Sequence, residues 1–155
     1  MKYQSVCIAV SDIDKAREFY KELFDLEELG DYGLNVSFNC GISLQQKFED
    51  IIDVSKDLVT MKPHNMELYF EEIDFDGFVR RLSEYPDISY LGDGVKEERW
   101  GQRTVRFYDL DGHIIEVGED LKTVIERFLN SGLTMEETSK RMDVSMTDLE
   151  KLLKS

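Results

Sequence analysis

Alternating apolar and polar positions open the chain. From Tyr3 to Val10, the residues Val6, Ile8 and Val10 share one face, and Ser5, Cys7 and Ala9 share the other; a period of two predicts a half-buried strand. The period then lengthens. Ile13, Ala16, Phe19, Tyr20, Leu23 and Phe24 fall on one side of a helix, with Ser11 as the expected N-cap and Asp14 three residues on. That helix ends near Asp25, and Gly30 and Gly33 mark turns. Leu34–Phe38 and Ile42–Gln46 read as strands joined by a hairpin turn at Asn39–Gly41. Phe48–Leu58 mixes acidic and apolar residues and is expected to form a loop or short helix acting as a flap.

The order then begins again. Glu67–Glu72 is a strand, Asp74 and Asp76 open a helix with Phe75, Phe78, Val79 and Leu82 on one face, and strands follow at Ile88–Leu91, Lys96–Trp100, Arg103–Tyr108 and Ile114–Val117. Asp111–Gly112 supplies the last tight turn. The tripeptides Asp12-Ile13-Asp14 and Asp74-Phe75-Asp76 stand 62 positions apart, which argues for duplication of one unit. The pattern predicts an α+β fold: two βαβββ repeats forming curved mixed sheets around a cavity. After Val117 the character changes to three short helices over 119–154, the second capped by Thr134 with Glu137 and the third by Ser145 with Asp148. Two parts follow, a domain over 1–118 and a helical tail over 119–155.

Composition narrows the function. A chain of 155 residues with 41% hydrophobic content can build a core, and no apolar run approaches the roughly 20 residues of a membrane span. A cytoplasmic location is the default, with no secretory signal at the start. Cys7 and Cys40 are expected as buried free thiols, and no Cys/His cluster suggests thiolate-bound zinc. The net charge of −14 repels phosphate backbones, so neither nucleic acid nor membrane is an expected partner.

The segment VCIAVSDIDKAREFYKELFDLEEL resembles the opening of members of the glyoxalase/bleomycin-resistance/dioxygenase (vicinal oxygen chelate) superfamily, and WGQRTVRFYDLDGHIIEVGE resembles their closing hairpin. Asp109-Leu110-Asp111-Gly112-His113 stands where many members have Asp-Pro-Asp-Gly-Asn. The resemblance covers residues 3–118. It implies a small-molecule ligand, a homodimer and, in many members, one divalent metal. The metal-ligand positions map to Ser5, Glu67 and Glu116, with Gln45 or Gln46 as a further candidate. Many members carry His where this chain has Ser5 and Glu67, and only Glu116 matches plainly. A neutral hydroxyl is a poor ligand for a divalent cation.

Two readings follow. In the first, no cofactor binds, Glu67 and Glu116 pair with Arg103 or Arg106, and the cavity holds an apolar or aromatic small molecule. Trp100, Tyr69 and Phe107 are the expected walls, Arg103 an anion partner, and Ser5 a further contact. In the second, magnesium, manganese, nickel, zinc or calcium is held by Glu67, Glu116 and Gln45, with Glu67 and Glu116 as catalytic groups of a glyoxalase I-like lyase or isomerase. A third, weaker reading is a ligand-sensing regulator acting through the tail. The segment SGLTMEETSKRMDVSMTDLEKLL has the rhythm of a helix-turn-helix, but from Glu119 onward there are eight acidic and six basic residues, and the last helix offers no Arg, Asn or Gln for base edges. The tail is therefore expected to be a packing or docking element.

Overall fold

The computed structural model describes residues 1–154 and divides into two compact units. The first comprises Met1–Met66 with Asp109–His113, and the second Glu67–Tyr108 with the segment from Ile114 onward.

In the first unit the order is β1 (Val6–Val10), α1 (Ile13–Phe24), β2 (Glu28–Asp31), β3 (Asn35–Phe38) and β4 (Ile42–Gln46). The sheet runs β1-β4-β3-β2, with β1 parallel to β4 and the other pairs antiparallel. The predicted stripe of α1 is buried at Ile13, Ala16, Phe19, Tyr20 and Leu23, against Ile8, Val10, Val36, Phe38, Ile42 and Leu44 of the sheet. The N-cap is Asp12 rather than Ser11: its carboxylate accepts from the Lys15 amide at 3.2 Å. Ser11 instead donates its own amide to Asp111 at 2.9 Å. Sequence patterning missed β2, an acidic edge strand whose register shifts between Glu28 and Gly30, because the irregularity destroys the alternation. The flap forms as α2 (Phe48–Ile52) and a 3₁₀ turn at Lys56–Leu58, and neither buries a residue. Both cysteines are exposed and free, contrary to the expected burial; Cys7 lies on the polar face of β1, not on the core face with Ile8 and Val10.

The second unit holds β5 (Glu67–Glu72), α3 (Phe75–Glu84), β6 (Ser89–Tyr90), β7 (Lys96–Glu97), β8 (Arg103–Tyr108) and β9 (Ile114–Glu119). β5 lies parallel to β9, and β8 antiparallel to it. β6 and β7 are two pieces of one broken edge strand, both antiparallel to β8. The expected longer strands at 88–91 and 96–100 are cut short by the Gly-containing 91–95 loop and by a turn in which the Gly101 amide donates to the Glu98 carbonyl at 2.8 Å. α3 repeats the capping of α1, since Asp74 accepts from the Gly77 amide at 3.0 Å. The paired Asp-x-Asp motifs thus do one job twice.

The tail forms α4 (Leu121–Asn130), α5 (Met135–Met142) and α6 (Met146–Leu152). The predicted caps are in place, including the reciprocal Thr134–Glu137 box. Val124, Ile125, Phe128, Met142 and Leu149 form a small core of their own, flanked by Leu133, Val144 and Leu152. Arg141 fastens α5 to β7 through Glu97 at 2.8 Å and to the turn after it through the Arg99 carbonyl.

Candidate functional site

The alternation of β5, β8 and β9 sets a row of side chains across the second sheet. Tyr69 stands opposite Glu116, and Glu116 opposite Arg106. An odd–even register on three neighbouring strands places all three on one face. Glu116 is 5% exposed, and its carboxylate meets the Arg106 guanidinium in an ion pair. Arg106 has two more acidic partners. Its Nη1 donates to Glu98 Oε1 at 2.9 Å, and its Nε lies 3.7 Å from Glu67 Oε2. Glu98 also receives Thr104 Oγ1 at 3.2 Å and Lys96 Nζ at 2.9 Å. Three carboxylates from three separate segments therefore converge on one guanidinium.

Their electrostatics follow from this arrangement. Burial lifts the Glu116 carboxyl above its ordinary range; Arg106 opposes the lift, and Glu67 and Glu98 add to it. Hydrogen bonds from Arg106 and Lys96 hold Glu98 below the usual carboxylate range. Burial alone would lower Arg106, but its three acidic neighbours carry it upward.

Beside this cluster, the Tyr69 hydroxyl donates to Glu71 at 2.9 Å and accepts from Gln102 Nε2 at 2.8 Å. Burial and Glu71 raise its pKa. Gln102 also accepts from Trp100 Nε1 at 3.0 Å and donates to the Glu119 carbonyl at 2.8 Å. Trp100, half-buried, lines a groove of about 370 Å³ with Leu121, Met142, Val144 and Leu152 of the tail.

The remaining expected positions separate. Arg103 is bound to acids rather than open to an anion: it reaches Asp76 at 2.8 Å and buried Glu119 at 3.1 Å, and Arg127 also donates to Glu119, at 3.0 Å. Phe107 is fully buried, its ring 6.3 Å from that of Phe78; the structure makes it core, since its strand position points away from the row of Arg106. In the first unit, Ser5 Oγ lies 3.5 Å from Ser43 Oγ. Gln45, 5% exposed, accepts from Asn35 at 3.0 Å and donates to the Gln46 carbonyl at 2.7 Å. That unit also has a cavity of about 490 Å³ between the ends of β1 and β4 and the flap, lined by Ala9, Gln46, Lys47, Phe48, Lys56 and Met61. His113 is half-buried with Nδ1 2.8 Å from Asp109, which also accepts from Tyr20 at 2.8 Å.

The residues present do not fit a divalent ion. The Arg106 guanidinium takes up the carboxylates of Glu67 and Glu116, the amide of Gln45 is engaged by Asn35 and Gln46, and Ser5 brings no charge. Among the described residues no three His, Cys, Asp or Glu side chains are gathered closely enough to hold a metal. Glu98, Lys96 and Gln102 escaped sequence reasoning. Arg106 was legible only as one of two alternatives with Arg103, whereas Glu98 and Gln102 flank a turn whose geometry no periodicity reveals.

Two βαβββ units, each with its first strand parallel to its last, define the α+β class in which this chain falls. The chain belongs to the glyoxalase-like domain family, which matches residues 3–122. A protein of unknown function from Agrobacterium tumefaciens str. C58 is 33% identical, with a TM-score of 0.67 over 77% of this chain and 94% of that one. Lactoylglutathione lyase from Agrobacterium tumefaciens shares the fold at 23% identity and a TM-score of 0.56, covering 76% of this chain and 92% of its own. So does a glyoxalase/bleomycin resistance protein/dioxygenase family enzyme from Burkholderia phytofirmans PsJN, at 13% identity and a TM-score of 0.64, covering 77% and 98%. A comparison with curated proteins returned no match. Among the described residues no helix is long and apolar enough to cross a membrane.

Proposed function

We propose that this chain is a small-molecule-binding member of the glyoxalase-like family that works as a homodimer without a His-ligated metal. One observation carries the reading: Arg106 stands among Glu67, Glu98 and Glu116, so the charge that a metal would balance is balanced by the protein. Buried carboxylates need such a partner. Half-exposed Tyr69, beside this cluster, offers an aromatic face to a ligand, and the cavity of about 490 Å³ under the flap is of ligand size. The test is a thermal-shift screen of aromatic and amphipathic compounds on chelator-treated protein, paired with elemental analysis of untreated protein. Hits that survive chelation, with no stoichiometric metal, are the expected result. Stoichiometric metal that disappears in Glu116→Gln overturns the reading.

A second reading rests on Glu116 itself. Its carboxyl is lifted by burial, which moves a carboxylate toward the range useful for proton transfer. In this reading the chain is a glyoxalase I-like lyase or isomerase with Glu116 as the proton-moving group. Turnover of a glutathione hemithioacetal that is lost in Glu116→Gln is its signature; no turnover with any added divalent ion removes it.

A further inference from the structure

The cavity under the flap holds two side chains that are each pinned at one end and open at the other. The side-chain oxygen of Gln46 accepts from the Ile13 backbone amide at 3.2 Å, and the Asp111 carboxylate accepts from the Ser11 amide at 2.9 Å. A backbone N–H can only donate, so the end of Gln46 it holds is the oxygen, and the NH₂ group is left to donate elsewhere. Asp111 is 4% exposed and lines the cavity, yet its second carboxylate oxygen has no hydrogen-bond partner among the described residues. A buried carboxylate with an open oxygen calls for a donor. Lys47 and Lys56 line the same cavity; both are exposed, and among the described residues neither is ion-paired. Glu49 and Asp50 complete its charged lining, and Phe48, Val59 and Met61 give it an apolar wall.

We propose that this cavity binds a small apolar amino-acid zwitterion, free or as a dipeptide, with its ammonium group on Asp111 and its carboxylate on Lys47, Lys56 and the Gln46 NH₂ group. The reason is that the lining carries both signs. A ligand with only a negative charge meets Asp111, Glu49 and Asp50. One with only a positive charge meets the two lysines. A neutral apolar molecule excludes water from Asp111 and leaves its open oxygen unpaired, which costs free energy. A zwitterion satisfies both ends through charge-assisted hydrogen bonds, and its apolar side chain covers Phe48, Val59 and Met61. The volume of about 490 Å³ is in the range of small-molecule sites.

This inference rests on the reading of the chain as a small-molecule binder, and the experiment separates the two. Isotope-labelled, chelator-treated protein is titrated with phenylalanine and phenylalanyl-leucine, and its amide signals are followed by NMR. N-acetylphenylalanine, which lacks the ammonium group, and phenylalaninamide, which lacks the carboxylate, are titrated alongside. The expected result is saturable shifts at Ala9, Ser11 and Gln46 with a zwitterion, and binding about tenfold or more weaker for each single-charge analogue. Asp111→Asn keeps an oxygen for the Ser11 amide; it should weaken the zwitterion to the same extent and leave N-acetylphenylalanine no weaker. Lys47→Gln/Lys56→Gln changes two exposed positions and serves if Asp111→Asn does not fold; it should weaken the zwitterion and leave phenylalaninamide no weaker. No shifts with either zwitterion, single-charge analogues that bind as tightly, or affinity unchanged in a folded variant overturns the inference. Each of these outcomes leaves the proposed function standing, since that reading falls on stoichiometric metal lost in Glu116→Gln.

Discussion

Glu116 and Glu119 lie three residues apart on β9, both are buried, and each is bound to arginine, yet their carboxyl groups are shifted in opposite directions. Glu116 shares a single guanidinium with Glu67 and Glu98. Glu119 holds two guanidinia, Arg103 at 3.1 Å and Arg127 at 3.0 Å. Burial raises both carboxyls. It prevails at Glu116, while the two arginines reverse it at Glu119. One shared arginine does not offset burial and two neighbouring acids at Glu116, whereas two arginines offset burial at Glu119.

For Glu116, a folded-state pKa raised above the unfolded one means that its favourable contribution is present at low pH and lost as pH rises through the folded value. Glu116→Gln should therefore be at least as stable as wild type near pH 7, and its stability should vary less with pH above about 4.3. Urea denaturation across that range reads this directly; a clear loss of stability at pH 7 contradicts it.

Glu119 behaves the other way. Its depressed pKa contributes stability above the unfolded carboxyl range, about pH 4.3, which is lost as pH falls through the lower folded value. Glu119→Ala leaves Arg103 and Arg127 without their shared partner. A cost of about 2–3 kcal/mol is expected, tempered by the partial exposure of both arginines. Urea midpoints at pH 7 and pH 3.5 should converge between wild type and variant at the acid end.

His113 gives a third dependence. Burial opposes its charge, but Asp109 and Asp111 outweigh burial and raise its pKa. The stability from this pair is fully present below about pH 6.5 and is lost as pH rises through the folded value. His113→Asn should flatten the melting temperature between about pH 6 and 8. Proton NMR of the ring in wild type should give a midpoint above that of free histidine.

In the tail, Leu149 is fully buried in the core of α4, α5 and α6. Leu149→Ala should cost about 2–5 kcal/mol in the unfolding of that core, seen as faster amide exchange across 121–152. Unchanged exchange rates speak against a packed tail.

The same tail should not retard duplex DNA. Lys151 of α6 is tied to Asp148 at 2.8 Å, and Arg141 and Arg127 are spent on Glu97 and Glu119. Gel mobility at low salt, where charge attraction is strongest, is the measurement; a shifted band reverses the assignment.

The duplicated unit was legible because its signals are local: a period of two in β1, β5, β8 and β9, a helical stripe in α1, and one Asp cap in each repeat. β2 was not, since a bulge between Glu28 and Gly30 hides its alternation. Of the candidate site, Glu67 and Glu116 could be placed from resemblance, and Arg106 only as an alternative to Arg103. The three-way convergence on Arg106 could not, because Glu98 sits outside the regular part of its strand. Phe107 shows the limit of reasoning from residue type: an aromatic side chain in a strand serves a cavity or a core according to which face it takes, and this one takes the face of Phe78. The cysteines fail for a similar reason, as strand membership alone does not say which side meets solvent.

The chain has a single tryptophan, and its indole N–H ends on Gln102, the same amide that grips the Tyr69 hydroxyl. Under the proposed function, a molecule settling against Tyr69 is expected to pull on that amide and so to disturb the indole. The emission of Trp100 is then the intrinsic optical gauge to follow, without any attached dye.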